Sequence, residues 1–368
     1  MAKHVQPRRE FIRHAFLAAS LPFIGGSVCA GQTPRPRQPL GFALVGLGNL
    51  STNQIAPALE RTTNCRLAGI VTGSPGKVAR WQQRYGIPDR SVYSYETMER
   101  MSENPDIDVV YVVTPNALHA EHTIRAARAG KHVLCEKPME VSAERCQAMI
   151  DACRTAGRQL AIGYRCQFEP HHLECVRLAR ERVLGGVRRV QAGFGFPIGN
   201  RSQWRLDRSL SGGGPLMDVG IYALQTARMI AGEEPVSVTA IETRSDPPKF
   251  RSVEESMTFT LAFPGGLSAQ CSTSYTASMN TFTAFAEHGS FGMSPAYNYG
   301  GNRGWRSDGV PLSFPQIDQF AAELDDFATR VTTGTPTRVP GEEGLRDVRI
   351  LMAAYESART GRTVRLEP

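Results

Sequence analysis

The sequence predicts an α/β domain built on a doubly wound parallel sheet, followed by an α+β domain with a mainly antiparallel, open sheet. Up to residue 164, short apolar runs alternate with amphipathic segments, as parallel strands alternate with crossover helices. After residue 164 the pattern changes to strands without crossover helices, and Pro264-Gly265-Gly266 is typical of a hairpin turn. At 368 residues with 41% hydrophobic content, the chain is long enough for two such cores.

The first domain is predicted to span residues 41–164. Apolar periodicity predicts helices after residue 51 and at 75–85, 117–129 and 143–156. The strands between them are expected at 41–45, 66–71, 108–113, 132–135 and 159–163.

The strand at 132–135 is followed by a turn that suits a binding site. Pro138 cannot continue a central strand, so the chain must leave the sheet just after Glu136-Lys137. The carboxyl ends of parallel strands face the crevice where open α/β sheets bind ligands. Lys137 could therefore donate a hydrogen bond to a reacting oxygen, although these residues by themselves are better explained by a surface lysine paired with Glu136.

The second domain, residues 165–368, is predicted to carry the substrate site and the oligomer interface. Strands are expected at 187–196, 237–243, 256–263, 267–274 and 281–287. A helix at 215–230 presents Asp218 and Tyr222 on one face, because residues four apart are neighbours on a helix. Two further helices are expected at 317–331 and 342–359.

The glycine pattern after the first strand indicates a dinucleotide site of the Rossmann type. The run Gly46-Leu47-Gly48-Asn49-Leu50-Ser51 matches G-x-G-x-x-G, with a small serine in the third position. Gly46 would form the turn and Gly48 would let the backbone approach a pyrophosphate, which the following helix N-terminus would face.

The end of the second strand indicates which dinucleotide binds. NAD-specific sites usually place an acidic residue there, whereas this chain has Thr72, Ser74 and Lys77. Hydroxyls and a lysine favour the 2′-phosphate of NADP. Ser74 as a helix cap and Lys77 as a solvated side chain are compatible alternatives.

The N-terminus is typical of a twin-arginine export signal, which predicts a periplasmic protein without a membrane anchor. Arg8-Arg9 precede a moderately apolar segment at 15–24, and Val28-Cys29-Ala30 suits cleavage near Ala30. A cytosolic helix that happens to contain two arginines is the alternative, and Val28 disfavours a lipoprotein site at Cys29. Residues 31–40 are proline-rich and are expected to be extended, either as an arm that lies on another part of the protein or as a plain linker.

Charge and cysteine usage exclude several classes of protein. The formal charge of +7 is partly that of the leader, and no basic run is interleaved with aromatic residues, so nucleic acid is not an expected partner. Seven cysteines remain after residue 30, scattered and without C-x-x-C spacing, which argues against both a disulfide framework and a metal site.

Several motifs together resemble the glucose–fructose oxidoreductase branch of the Gfo/Idh/MocA sugar dehydrogenases over essentially the whole chain. Besides the glycine turn, these are Thr114–Glu121, Ala129–Met139, Gly163–Cys166, Gln203–Leu206, Gly212–Tyr222 and Pro340–Gly344.

The resemblance assigns catalytic roles to Lys137, Tyr222 and Asp218. It implies that Lys137 polarises the sugar oxygen and that Tyr222 carries the proton, with the lysine ammonium lowering the pKa of the phenol. Without the resemblance, the favoured interpretation is that Tyr222 is a buried helix tyrosine and Asp218 a charge near a helix N-terminus.

The resemblance also implies residues that bind cofactor and substrate. Tyr164 and Tyr299 are implied for the substrate, although Tyr299, like Trp204, could be a packing aromatic. For NADP, the implied residues are Pro115, Asn116, His119, Glu136, Arg165, Trp204 and Arg205, in addition to Gly46, Gly48, Asn49, Leu50, Thr72, Ser74, Lys77 and Lys137.

The expected activity is that of a periplasmic sugar oxidoreductase with tightly bound NADP. It would oxidise an aldose at C1 to the lactone and reduce a second sugar carbonyl to a polyol, in a ping-pong cycle. The alternatives are a conventional dehydrogenase that releases its cofactor, an NAD-dependent glycosidase, and a dinucleotide-binding sensor. Release of nitrophenol from nitrophenyl glycosides would identify the glycosidase, and a bound cofactor that no sugar reduces would identify the sensor.

Overall fold

The computed structural model describes residues 38–200 and 202–367. Residues from Gln38 onward form one compact unit. The predicted export signal and residues 31–37 of the predicted arm lie outside the described residues. No helix within the described ranges is long and apolar enough to cross a membrane.

The first sheet is parallel throughout its described strands, as predicted. Its strand order is β3-β2-β1-β4-β5-β6, which places the glycine turn after a central strand. The short strand β3 was not predicted. The strands are β1 (Leu40–Val45), β2 (Cys65–Val71), β3 (Val92–Tyr93), β4 (Val109–Val112), β5 (His132–Glu136) and β6 (Leu160–Gly163). The helices of this part are α1 (Ala56–Leu59), α2 (Val78–Tyr85), α3 (His119–Arg128) and α4 (Ala143–Thr155).

The second sheet is mainly antiparallel, which confirms the predicted fold class. Its order is β13-β12-β11-β7-β10-β9-β8-β14, and β7 runs parallel to β10. Strands β12, β13 and β14 and helices α5 and α6 were not predicted. The strands are β7 (Val187–Gly195), β8 (Ser237–Thr243), β9 (Ser256–Ala262), β10 (Ser268–Ser274), β11 (Met279–Ala286), β12 (Gly289–Met293), β13 (Gly304–Arg306) and β14 (Val364–Arg365). The helices are α5 (Pro170–Arg180), α6 (Arg208–Ser211), α7 (Ile221–Ala231), α8 (Gln319–Thr333) and α9 (Gly341–Thr360).

The helix predicted at 215–230 begins with a π-helical turn. That turn spans Leu216–Gly220, and α7 continues from it. The glycines before it are needed for close packing, since a Cβ on Gly213 would lie 1.8 Å from the hydroxyl of Tyr355. The carboxylate of Glu254 accepts hydrogen bonds from the amides of Gly214 and Leu216 and so fixes the start of the turn.

The last two long helices return to the first sheet. Helix α8 packs against α1 and β2, and α9 packs against α4 and β6 as well as β8. At the end of α1, the Asp325 carboxylate accepts from the amides of Thr63 and Asn64 at 3.1 and 2.8 Å. In the sequence, the predicted boundary at residue 164 lies between the strands of the first sheet and those of the second. Helices α8 and α9 come after this boundary but pack against the first sheet and its helices.

Candidate active site

A cavity with an empty volume of about 1160 Å³ lies at the carboxyl ends of the first sheet's strands. It receives side chains from the glycine turn, the ends of β2, β4 and β5, and the segment before α6. Predicted site residues that line it are Gly46, Gly48, Asn49, Leu50, Thr72, Ser74, Lys77, Pro115, Asn116, His119, Glu136, Lys137, Trp204, Arg205 and Asp218. Arg165 does not line this cavity.

The glycine turn leaves room for a large anionic group. Gly46 has φ of +92°, and a Cβ there would lie 2.8 Å from the carbonyl oxygen of Val113. A Cβ on Gly48 would have no atom within 4 Å, so the Gly48 backbone borders open space. The third small residue, Ser51, donates to the Gly46 carbonyl and is buried. The turn therefore fits the pyrophosphate of a dinucleotide.

The far end of this cavity carries the residues predicted to choose between NAD and NADP. The Ser74 amide donates to the Thr72 hydroxyl at 3.0 Å, and the Lys77 ammonium donates to the Leu47 carbonyl at 2.7 Å. Among the described residues that line the cavity, the acidic ones are Glu136 and Asp218. Both belong to the opposite end, beside Lys137.

Two buried polar residues fix the loops that follow β4 and β5. The His119 ring lies between the carbonyls of Thr114 and Pro138, at 2.8 and 3.0 Å. Burial lowers the pKa of His119 to about 4, so the ring is neutral. The Asn116 amide donates to the Ser211 carbonyl at 2.8 Å and ties the first sheet to α6.

A second cavity, with an empty volume of about 1060 Å³, adjoins the first. It lies over the second sheet and is lined by Phe194, Tyr222, Tyr297 and Tyr299, among others. Five residues line both cavities, which locates the junction between them: Leu50, Glu136, Lys137, Arg205 and Asp218. A dinucleotide in the first cavity and a small polar molecule in the second would meet at Lys137.

Lys137 is held at the junction by Asp218. Its ammonium donates to the Asp218 carbonyl at 2.8 Å and lies 3.7 Å from the Asp218 carboxylate. The carboxylate also accepts from Arg205 and Tyr275, each at 3.0 Å. Burial by itself would raise the pKa of Asp218, but Arg205 and Lys137 outweigh it and lower the pKa, so the carboxylate stays ionised.

Glu136, on β5, is the second acidic residue of this junction. Its carboxylate accepts from the Tyr111 hydroxyl at 2.7 Å and from the Lys137 amide at 3.2 Å. Burial raises the pKa of Glu136, while the charge of Lys137 acts in the opposite direction. Glu136 is thus a buried carboxyl that fixes the backbone just before the lysine.

Tyr222 lies between two cations. Its ring centre is 5.0 Å from the Lys137 ammonium nitrogen and 4.9 Å from the Arg165 guanidinium carbon. Burial raises the pKa of Tyr222, and Arg165 is the main group that lowers it. The expectation that Lys137 lowers this pKa is therefore corrected: burial outweighs the cations, and the main opposing charge is that of Arg165.

Arg165 itself is buried and firmly held. Its guanidinium donates to the carbonyls of Tyr297 and Asn298 and to the Gln319 side chain, at 2.6, 3.1 and 2.6 Å. Arg165 was predicted for the cofactor; the structure places it in the second cavity.

The two tyrosines implied for the substrate lie in different environments. Tyr299 is 49% exposed, lines the second cavity and stacks on Arg165 at 4.7 Å. Tyr164 is buried and donates to the Asp347 carboxylate at 2.6 Å, away from both large cavities. The structure does not bring Tyr164 to the open site, because its hydroxyl belongs to the buried Asp347–Arg228 ion pair.

Several residues near the site were not found by sequence reasoning, among them Tyr95, Tyr275 and Glu323. Tyr95 lines the far end of the first cavity and stacks on His122 at 4.9 Å. The Tyr275 hydroxyl donates to the Asp218 carboxylate. Its position directly after β10 is the one sequence signal that could have indicated a role at the site. Glu323 on α8 is buried, and burial together with the charge of Glu136 raises its pKa.

Three family models match the chain in order. The oxidoreductase family model with an NAD-binding Rossmann fold (Gfo/Idh/MocA) matches residues 40–164. A Gfo/Idh/MocA C-terminal domain matches 172–293, and the oxidoreductase family's C-terminal alpha/beta domain matches 297–366.

Individual relatives cover most of the chain. D-xylose 1-dehydrogenase (NADP+) from Haloarcula marismortui is 33% identical over 339 residues, which cover 89% of this chain and 94% of the relative. The structure of aldose-aldose oxidoreductase from Caulobacter crescentus, complexed with glycerol, is 45% identical with a TM-score of 0.87, and the match covers 89% of this chain and 100% of that one. A 3-ketoreductase from Actinomadura kijaniata, solved with NADP and TDP-benzene, is 26% identical with a TM-score of 0.77, covering 87% and 98%.

Sequence motifs, the pair of sheets and the matched models agree along the chain. From these findings, the protein belongs to the Gfo/Idh/MocA family of oxidoreductases.

Proposed function

We propose that this enzyme is an NADP-dependent sugar oxidoreductase that retains its cofactor, oxidises an aldose at C1 to the lactone and reduces a second sugar carbonyl to a polyol. It acts on CH–OH groups of sugars. The observation that supports oxidation of one sugar coupled to reduction of another is the 45% identity to an aldose-aldose oxidoreductase over that protein's whole length.

NADP fits the first cavity. The open space at Gly48 accommodates a pyrophosphate, and Thr72, Ser74 and Lys77 border the end that would receive the 2′-phosphate. Since both lining acids lie at the opposite end, no described carboxylate of this cavity would repel that phosphate. The chemistry that bound NADP supplies is reversible hydride transfer.

Lys137 and Tyr222 act on the sugar oxygen. The Lys137 ammonium has three donors, and its contact with the Asp218 carbonyl leaves donors for a sugar oxygen in the second cavity. Tyr222 takes the hydroxyl proton as the carbon–oxygen bond gains double-bond character, with Arg165 offsetting part of the burial that opposes its ionisation. Asp218 stays ionised and positions Lys137.

The second half of the cycle reverses these movements at the same residues. Tyr222 returns its proton to the carbonyl oxygen of the second sugar, and Lys137 stabilises charge on that oxygen. A single second cavity serves both sugars in turn, so the first product must leave before the second sugar enters. Ping-pong kinetics are expected.

Turnover after extensive dialysis tests this proposal. Dialysed enzyme should gain absorbance near 340 nm when an aldose is added, and should convert a pair of sugars with no NADP supplied. Inactivity until NADP is added, with NADPH released at each turnover, would instead establish a conventional dehydrogenase. That second candidate is favoured by the 33% identity to a D-xylose 1-dehydrogenase.

Two further features complete the proposal. Residues 1–30 are proposed to direct the protein to the periplasm, so that folding and cofactor loading precede export. The open face of the second sheet is proposed to form a homo-oligomer. It is mostly threonine, serine and glutamine, but Ile241 and Phe285 on it are 68% and 39% exposed.

A further inference from the structure

Behind Tyr222 lies a third, smaller cavity that the proposed reaction does not use. It is lined by Lys137, Cys166, His172, Tyr222, Thr226 and Met229, among others. Lys137 and Tyr222 thus separate this space from the second cavity. The chemistry of the small cavity is that of Cys166 and His172.

His172 is oriented by a carboxylate. Its Nδ1 lies 2.8 Å from one oxygen of Glu169, whose other oxygen lies 2.7 Å from the Nδ1 of His171. The His172 side chain is 3% exposed, and its Nε2 is buried without a hydrogen-bond partner among the described residues. A buried imidazole with one nitrogen fixed by a carboxylate and the other unpartnered in a cavity beside a thiol resembles the base of a nucleophilic cysteine.

The charges around Cys166 come from several elements. Arg165, Glu169 and His172 face it from its own segment, and Tyr222, Tyr297 and Glu323 interact with it from α7, the segment after β12, and α8. Burial by itself would raise the pKa of the Cys166 thiol, but Arg165 and His172 outweigh it and lower the pKa. Burial would lower the pKa of His172, yet Cys166 and Glu169 raise it to about 9.

The other cysteines in the described part of the chain differ in both exposure and charge. Cys65, Cys135, Cys146, Cys153, Cys175 and Cys271 are buried, whereas Cys166 is half-buried. Burial raises the pKa of each of these six thiols, so they stay protonated and unreactive.

We propose that Cys166, His172 and Glu169 form a nucleophilic thiolate site that reacts with hydroperoxides and small electrophiles. Modification of the Cys166 sulfur then stops turnover by disturbing the adjacent Tyr222. With a hydroperoxide, the sulfur attacks the terminal peroxide oxygen, the O–O bond breaks and an S–O bond forms. The leaving alkoxide takes the proton of the His172 imidazolium as the alcohol. Sulfur loses two electrons, which the peroxide gains, and Cys166 becomes a sulfenic acid.

A group added to the Cys166 sulfur would enter a small cavity that Tyr222 and Lys137 also line. The loss of turnover rests on the proposed role of Tyr222, whereas the reactivity of Cys166 does not.

The test uses the folded mature enzyme, residues 31–368, with limiting iodoacetamide between pH 6 and 9, followed by peptide mass mapping. Cys166 should be alkylated at least tenfold faster than any of the six buried cysteines, with a rate that changes little over this range. Peroxide followed by a sulfenic acid probe should label the same residue. Equal labelling of all seven cysteines, or a Cys166 rate that climbs with pH like that of an ordinary thiol, would overturn the site.

Variants separate the roles of the three residues. His172→Gln should slow alkylation of Cys166 at pH 6.5 at least tenfold and restore an ordinary thiol pH profile. Glu169→Gln retains an oxygen for the His172 amide of helix α5, so it serves as the second variant if His172→Gln does not fold. Cys153→Ser is the matched control and should leave the Cys166 rate unchanged. Unaltered Cys166 rates in both variants would contradict the thiolate–imidazole pair, and full turnover by alkylated enzyme would contradict the blocking effect alone.

Discussion

The Arg165 guanidinium lies 4.9 Å from the centre of the Tyr222 ring and is fixed there by two backbone carbonyls and Gln319. The proposed proton acceptor therefore depends on a cation that is buried beside the second cavity and held by three hydrogen bonds. Since burial raises the pKa of Tyr222 and Arg165 lowers it, this pair controls the pH at which the tyrosine ionises.

Removing that cation should move the pH profile of sugar oxidation upward. Oxidation needs ionised Tyr222, so its rate rises with pH as the phenol loses its proton. In Arg165→Met the pKa of Tyr222 rises further, and the rising limb should shift to higher pH by about one unit or more. Arg165→Lys keeps a charge and should shift less. Steady-state rates of sugar oxidation between pH 6 and 10.5 provide the measurement. If the rate rises over the same pH range in wild type and both variants, Arg165 does not control the ionisation of Tyr222.

Loss of either proposed catalytic group should abolish most of the turnover and leave the fold intact. Lys137→Met and Tyr222→Phe each remove a group needed in the transition state, which predicts a loss of about 10²–10⁴-fold in kcat. Tyr85→Phe, on α2 outside the site, is the matched control and should be fully active. Near-normal turnover of Tyr222→Phe would show that another group transfers the proton, and Asp218 would be tested next.

Thr72→Asp should shift cofactor preference from NADP toward NAD. The new carboxylate can still accept the Ser74 amide, so the loop should persist, while it repels the 2′-phosphate. A repulsion of about 1.4 kcal/mol changes the ratio of the two dissociation constants about tenfold. Titration of apoenzyme with both dinucleotides gives that ratio, and Thr335→Asp, on an exposed loop, is the control. An unchanged ratio would place the 2′-phosphate elsewhere.

A charge on the open face of the second sheet should dissociate the proposed oligomer. Thr258 is exposed on β9 and pairs with Ile241 on β8, so Thr258→Arg places a cation on that face beside the exposed Ile241. Light scattering should show a smaller mass for Thr258→Arg at micromolar protein, with Thr335→Arg unchanged. A wild-type monomer, or an oligomer that tolerates Thr258→Arg, would rule this interface out.

Export should fail when Arg8 and Arg9 are both replaced by lysine. The arginine pair is an address for export of folded protein, so the precursor should remain in the cytoplasm. Immunoblots of cell fractions measure this, with Lys3→Arg as the control. Normal periplasmic amounts of the double variant would contradict the predicted signal.

Local signals in the sequence predicted both sheets, the glycine turn and the residues after the second strand, whereas the family resemblance supplied most other residues of the first cavity. Glycines at a turn, Pro138 after a strand and Ser51 in the third small position each constrain the backbone near themselves. What could not be predicted depends on contacts between distant segments. Arg165 reaches Tyr222 only because α8 and the segment after β12 supply its partners, and Tyr164 is drawn away by Asp347 on α9. The π-helical turn before α7 likewise depends on Glu254, some forty positions along the chain.

The return of α8 and α9 to the first sheet limits how this protein can be divided. A fragment ending at residue 164 would leave bare the apolar surfaces of β2 and β6 that these helices cover, and such a fragment should aggregate. A chimera meant to exchange sugar preference must therefore keep residues 319–360 together with the first sheet and replace only the strands between. The nucleotide-binding part of the protein is therefore encoded by two separate segments of the gene.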